Sequence, residues 1–222
     1  MCGRFTLAAS IEEIAAEFGV SNTSVEHEPR YNVAPTQDVL VLVANGERRL
    51  EKFRWGLVPH WAKEPNTRYS MINARAETVT EKPSYRTPFA KQRCLVLADG
   101  FYEWQKAGDK KIPMYVRLKS GRPFGMAGLW DIWRPAEGGA PLKSCTIITT
   151  TSNELLKPIH DRMPVILPHD AIDEWLGLLD EPDQDELLAL LKPYPATEME
   201  AYAVSRYVNS PANDSPKCIQ PV

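Results

Sequence analysis

No apolar run in this 222-residue chain approaches the ~20 residues of a membrane-spanning helix, which argues against a membrane-embedded protein. The stretch from Ile11 to Val20 is broken by Glu12, Glu13 and Glu17, so it does not serve as a secretion signal. Cysteine is sparse. Cys2, Cys94, Cys145 and Cys218 lie far apart, with no C-x-x-C pair. That spacing argues against a disulfide frame or a zinc knuckle and predicts free thiols in a reducing, intracellular compartment. His27, His60 and His169 show no ligand spacing, so no metal site is expected. The G-x-S-x-G, Walker A and G-x-G-x-x-G fingerprints are missing, as are internal repeats and low-complexity linkers.

What is present is an ordinary globular composition, 43% hydrophobic and 25% charged. The net charge of −3 is unevenly spread. Between Asp170 and Glu200 ten acidic residues face one lysine, Lys192, which leaves +6 for the remainder. The acidic run reads as a solvated helical face; the remainder is able to present a basic surface. Nineteen prolines sit mostly between elements and favour rigid loops around a β core.

The local patterns point to strands with a few helices. Ser10 and Glu13 form a capping box ahead of Ile11, Ile14, Ala15 and Phe18, with Gly19 as a stop, predicting a helix over 11–18. Asp38–Ala44 (DVLVLVA) is β-rich, and Asn45-Gly46 turns it into a second strand through about Trp55. Further strands are predicted at 93–98, 101–106, 113–119, 124–133, 143–150 and 199–204, and helices near 170–177 and 183–191. In 113–119, Met114, Val116 and Leu118 alternate with Tyr115, Arg117 and Lys119, as in a half-buried strand. The expected fold is α+β: a single domain over 1–222, mostly antiparallel, with peripheral helices.

Six stretches carry more polar and aromatic character than a plain core needs: MCGR (1–4), RYNVAPT (30–36), RWGLVPHWA (54–62), MINARAET (71–78), ADGFYEW (98–104) and PIHDRMPVIL (158–167). Each candidate has a bland alternative. Cys2 reads as a frayed terminal residue or as a reagent, and His160 as an exposed loop histidine or a proton carrier. Glu103, in Phe101-Tyr102-Glu103-Trp104, points to solvent or, if inward, has a raised pKa suited to acid–base work. Asn73 and Arg75 are a turn amide and a surface arginine, or site groups. Cys94 and Cys145 read as core residues.

Taken in order, MCGRFTL, RYNVAPT, WGLVPHWA, INARAET, RCLVLADGFYEW, IHDRMPVIL and VSRYVNSP resemble the SOS response-associated peptidase (SRAP) family of abasic-site processing proteins, across essentially the whole chain. The resemblance implies a twisted, barrel-like antiparallel core and covalent capture of abasic sites in single-stranded DNA. It implies Cys2 as nucleophile, Asn73 as a positioning group, and Glu103 and His160 as the acid–base pair. Arg4, Asn32, Pro35, Trp61, Arg75, Arg86 and Arg162 are implied as DNA-contacting residues. Where some relatives carry a second tryptophan after Trp61, this chain has Ala62. No metal or organic cofactor is implied, nor a membrane partner; the protein is expected to act as a monomer in the bacterial cytoplasm or, in a eukaryote, the nucleus.

The implied chemistry accounts for cysteine at position 2. With Met1 removed, Cys2 carries an α-amine of pKa ~7.7–8.0 beside a thiol of pKa ~8.5, which a neighbouring cation would lower further. The amine forms a Schiff base with the ring-opened sugar, and the thiol closes it to a thiazolidine, leaving no iminium to drive strand scission. Two alternatives stay open at this level: a thiol peptidase using Cys2 and His160, whose proteolysis could be limited to its own first residue, and a non-catalytic DNA reader.

Overall fold

The computed structural model describes residues 2–21, 23–65, 71–179 and 182–222. The chain runs β1 (Phe5–Leu7), α1 (Ile11–Phe18), β2 (Arg30–Val33), β3 (Asp38–Ala44), β4 (Arg48–Trp55), β5 (Asn73–Arg75) and α2 (Pro83–Lys91). It continues through β6 (Arg93–Ala98), β7 (Gly100–Ala107), β8 (Lys110–Leu118), β9 (Phe124–Trp133), β10 (Leu142–Thr151), β11 (Arg162–Pro164) and β12 (Ile166–Leu167). The helices α3 (Ile172–Leu176) and α4 (Gln184–Ala189) and the strand β13 (Met199–Ala203) complete it.

Strands β4, β3, β6, β9 and β10 pair in that order, and β10 returns to β4, closing a five-stranded barrel. The closing pair is parallel, Ser144 opposite Arg54, and β5 also lies parallel to β10. The mostly antiparallel core expected from hairpin signals is present; the two parallel pairings join residues too far apart in sequence for turn chemistry to reveal. A second sheet, ordered β13-β8-β7-β1-β2, packs against the barrel. Between them lies one apolar cluster that draws Phe5, Val33, Phe101 and Val116 from the second sheet and Val41, Trp55, Val96 and Ile147 from the barrel. Phe5 and Trp55 meet there with ring centroids 5.0 Å apart. The alternate faces of β3, β6 and β9 pack Leu42, Leu95 and Leu129 against α1, α2 and α3.

Local sequence explains most of these elements. Ser10 Oγ accepts from the Glu13 amide at 3.2 Å, and Glu13 Oε2 accepts from the Ser10 amide at 2.8 Å. Gly19 then ends the helix at φ 62°, where a side chain would be strained. Gly46 turns the β3–β4 hairpin at φ 77°. Helix α2 went unpredicted because Pro88 sits inside it; Pro83 opens it, and Tyr85 and Phe89 anchor it in the core. Strand β8 departs from simple alternation, for Tyr115 is buried along with Val116. Residues 204–219 cover the second sheet's outer face, packing Val204, Val208 and Cys218 on Tyr102 and Tyr115.

Candidate active site

Cys2 is wholly buried in the seam between barrel and second sheet, not frayed. Its carbonyl oxygen accepts from Asn73 Nδ2 at 2.9 Å, and its thiol lies 3.9 Å from the Arg4 carbonyl oxygen. Asn73 opens β5, which β10 holds in register at Ile147. The Tyr85 hydroxyl of α2 donates to the Asn73 carbonyl at 3.3 Å. Asn73 Oδ1 is buried and has no hydrogen-bond partner among the described residues, so the amide keeps one acceptor available.

Glu103 arrives from the second sheet. Phe5 lies opposite Phe101, and the Tyr102 amide donates to the Arg4 carbonyl at 2.9 Å. One further step of that ladder sets Gly3 opposite Glu103. The carboxylate is 3% exposed, on the face of Phe101, while Tyr102 turns toward the covering tail. Burial pushes the Glu103 pKa up, and the His160 imidazolium acts in the opposite direction. Burial, followed by the Glu103 carboxylate, drives the Cys2 thiol far above its ordinary range. The charged side chain acting on the sulfur is the negative Glu103 carboxylate, which opposes ionisation.

His160 stands in the turn between β10 and β11. The Arg162 amide approaches its Nδ1 at 3.0 Å. The Asp161 carboxylate lies 2.8 Å from the same Nδ1 and pairs with the ring once it is charged. Gln105 Nε2 donates to the Pro158 carbonyl at 3.1 Å, tying this turn to β7 two residues beyond Glu103. Cys2, Asn73, Glu103 and His160, spread over 159 positions of sequence, therefore converge on one end of the seam.

Over residues 1–211 the chain matches the family described as SOS response associated peptidase (SRAP). The chain belongs to the SRAP family. It is 50% identical over 224 residues to the abasic site processing protein YoqW of Bacillus subtilis (strain 168), covering 99% of each chain. It is 37% identical to the abasic site processing protein HMCES of Gallus gallus, over 88% of this chain and 67% of that one. A crystal structure of a Bacteroides thetaiotaomicron protein superposes with a TM-score of 0.87 at 30% identity, covering all of both chains.

The remaining SRAP motif residues fall into two groups. Arg75, Arg86 and Trp61 are exposed, Trp61 by 57%, and Pro35 is half-buried in the β2–β3 connection. Arg162 is largely buried; it grips the Glu77 carboxylate with both Nη atoms, and its Nη2 donates to the Thr149 carbonyl at 2.5 Å. Glu77 and Thr149 went unremarked in the sequence, although Glu77 lies within INARAET. Asn32 departs from the expected DNA-facing placement, while Arg4 is half-buried. Asn32 is fully buried, and Arg4 Nη1 donates to Asn32 Oδ1 at 2.7 Å and to the Val208 carbonyl at 3.0 Å.

A groove of about 740 Å³ beside β1 and β3, lined by Leu7, Ile11, His27, Arg30, Leu40 and Lys52, includes none of the four convergent residues. Among the described residues no three His, Cys, Asp or Glu side chains gather as a metal site, and no helix is long and apolar enough to cross a membrane.

Proposed function

We propose that this SRAP protein captures abasic sites in single-stranded DNA covalently through Cys2, once Met1 has been removed. The observation that carries the reading is the meeting of Cys2 with Asn73 and with a buried, pKa-raised Glu103 near His160. The names of the relatives support the substrate. In the first step the α-amine adds to the C1′ aldehyde, giving a carbinolamine, with His160 moving the proton. Protonated Glu103 delivers a proton to the departing oxygen, water leaves, and the Schiff base remains. The thiol then adds across the C=N bond: sulfur bonds to C1′, nitrogen gains a proton, and Glu103 relays it. Burial disfavours the thiolate, which suits that carboxylate to act as the base in this last step. Asn73 fixes the Cys2 carbonyl and offers Oδ1 to the sugar or the carbinolamine. Arg75, Arg86, Arg162, Pro35 and Trp61 are the DNA contacts of this reading, the exposed Arg75 and Arg86 meeting phosphates and Trp61 stacking on a base. None of these steps requires a metal or organic cofactor.

The test is incubation with an abasic single-stranded oligonucleotide, followed by a denaturing gel. A heat-stable shifted band is expected, absent in Cys2→Ala and in protein carrying extra residues upstream of Cys2. Equal crosslinking by the extended and processed forms would refute the amine step. Turnover of peptides without any band would favour the peptidase.

A further inference from the structure

Asn32 sits at the centre of a small polar knot for which capture of a sugar aldehyde supplies no role. Its side-chain nitrogen faces three backbone carbonyls, those of Val208 at 3.1 Å, Ser210 at 3.0 Å and Asn213 at 2.6 Å. A carbonyl cannot donate, so the amide orientation is fixed: nitrogen toward the tail, Oδ1 toward Arg4. Arg4 Nη1 completes the knot by donating to Asn32 Oδ1 and again to the Val208 carbonyl, with its guanidinium 5.8 Å from the centroid of the Trp104 ring. The same tail segment is held from both sides. Trp104 Nε1 donates to Asn209 Oδ1 at 2.9 Å, and Asp214 accepts from Arg30 Nε and from the Tyr31 amide, each at 2.5 Å.

The knot ends at the reagent. The backbone oxygen of Arg4 accepts from the Tyr102 amide and faces the Cys2 thiol, with only Gly3 in between. Glycine brings no side-chain restraint of its own, so the setting of Cys2 depends on how firmly Arg4 is held. We propose that Asn32 is a positioning residue for Cys2: acting through Arg4, it fastens the strand bearing the nucleophile to residues 208–213. Neither Asn32 nor Arg4 then serves as a DNA contact, and the covering tail becomes part of the reactive machinery. The inference rests on the covalent-capture reading given above.

The test compares wild type, Asn32→Ala and Arg4→Lys in single-turnover crosslinking to an abasic oligonucleotide across a range of DNA concentrations. Asn32→Ala is expected to lower the maximal rate by about 10- to 100-fold, the scale of a misplaced reacting group, with the half-saturating DNA concentration and its salt dependence unchanged. Arg4→Lys keeps the charge but loses the planar fork, and is expected to reproduce the defect. The double variant is expected to be no slower than the worse single one, because both cut the same link. Should Asn32→Ala fail to fold, Arg4→Lys carries the test alone. Wild-type rates in both variants overturn the proposal, and so does lost DNA affinity with an intact maximal rate. Hydrogen exchange at the Tyr102 amide reads the fastening without DNA, and faster exchange in the variants is expected. A wild type that forms no crosslink would overturn the capture reading, while unchanged Tyr102 exchange would overturn the fastening.

Discussion

Replacing Glu103 by glutamine should move stability and reactivity in opposite directions. The carboxylate is 3% exposed, and burial is the leading cause of its raised pKa. The sign follows from proton uptake. A carboxyl whose folded pKa exceeds its unfolded value of ~4.3 contributes fully to stability below that value, and the contribution is lost as pH rises through the folded pKa. Above its folded pKa the wild type therefore bears the cost of a poorly solvated charge, which glutamine removes with little change of shape. A buried polar mismatch of this kind is worth about 2 kcal/mol, which corresponds to a Tm increase of about 4–8 °C for a chain of this size. The gap should narrow as pH falls below the unfolded pKa of ~4.3, where the wild-type carboxyl becomes mostly neutral in both states. Crosslinking should meanwhile fall by about 10²–10⁴-fold, the usual loss on removing a general acid–base. Thermal melts from pH 4 to 8, with single-turnover gels on the same preparations, supply both readings. A Tm difference that ignores pH, or a crosslinking rate that survives the change, would refute the assignment.

Three further outcomes follow from the same geometry. Mass-spectrometric mapping of iodoacetamide labelling should find Cys2 slow to react near neutral pH and faster in Glu103→Gln, which removes the second cause of its raised pKa. Rapid labelling of the folded wild type would contradict a neutral thiol. Arg75→Ala and Arg86→Ala should each weaken single-stranded DNA binding and reduce the log–log salt slope by about 0.7 in anisotropy titrations; an unchanged slope removes that arginine from the phosphate track. Trp61→Ala should lose about 1–3 kcal/mol of binding with the slope intact, and equal affinity would rule out stacking at this position.

Elements whose signal is local were legible in the sequence. The Ser10–Glu13 capping box and Gly19 bracket α1 at its observed ends, and Asn45-Gly46 announces the β3–β4 hairpin. Strands β1, β2 and β5 were not, because two of them span three residues and the other four, and none outlines a periodic pattern. They are strands only because β7 supplies an edge for β1, β1 one for β2, and β10 one for β5. Tyr115 could not be recognised as buried, since the tail covering it lies some ninety positions downstream. The four convergent residues were named through family resemblance; the alternation around Glu103 alone left its direction open. Asn32 shows the converse. A polar residue in a motif rich in function reads as a contact for ligand, whereas its burial under the tail depends on tertiary packing invisible to spacing.

Under the proposed capture chemistry, the burial of Cys2 sets a deadline for any outside protease that would free its amine. Such an enzyme would have to act while the seam is still open. The barrel gives it time, since closure requires Arg54 to find Ser144 and Phe5 to find Phe101, long-range pairings that form slowly. On that proposal, sequence changes that hasten closure are expected to yield folded molecules that crosslink less.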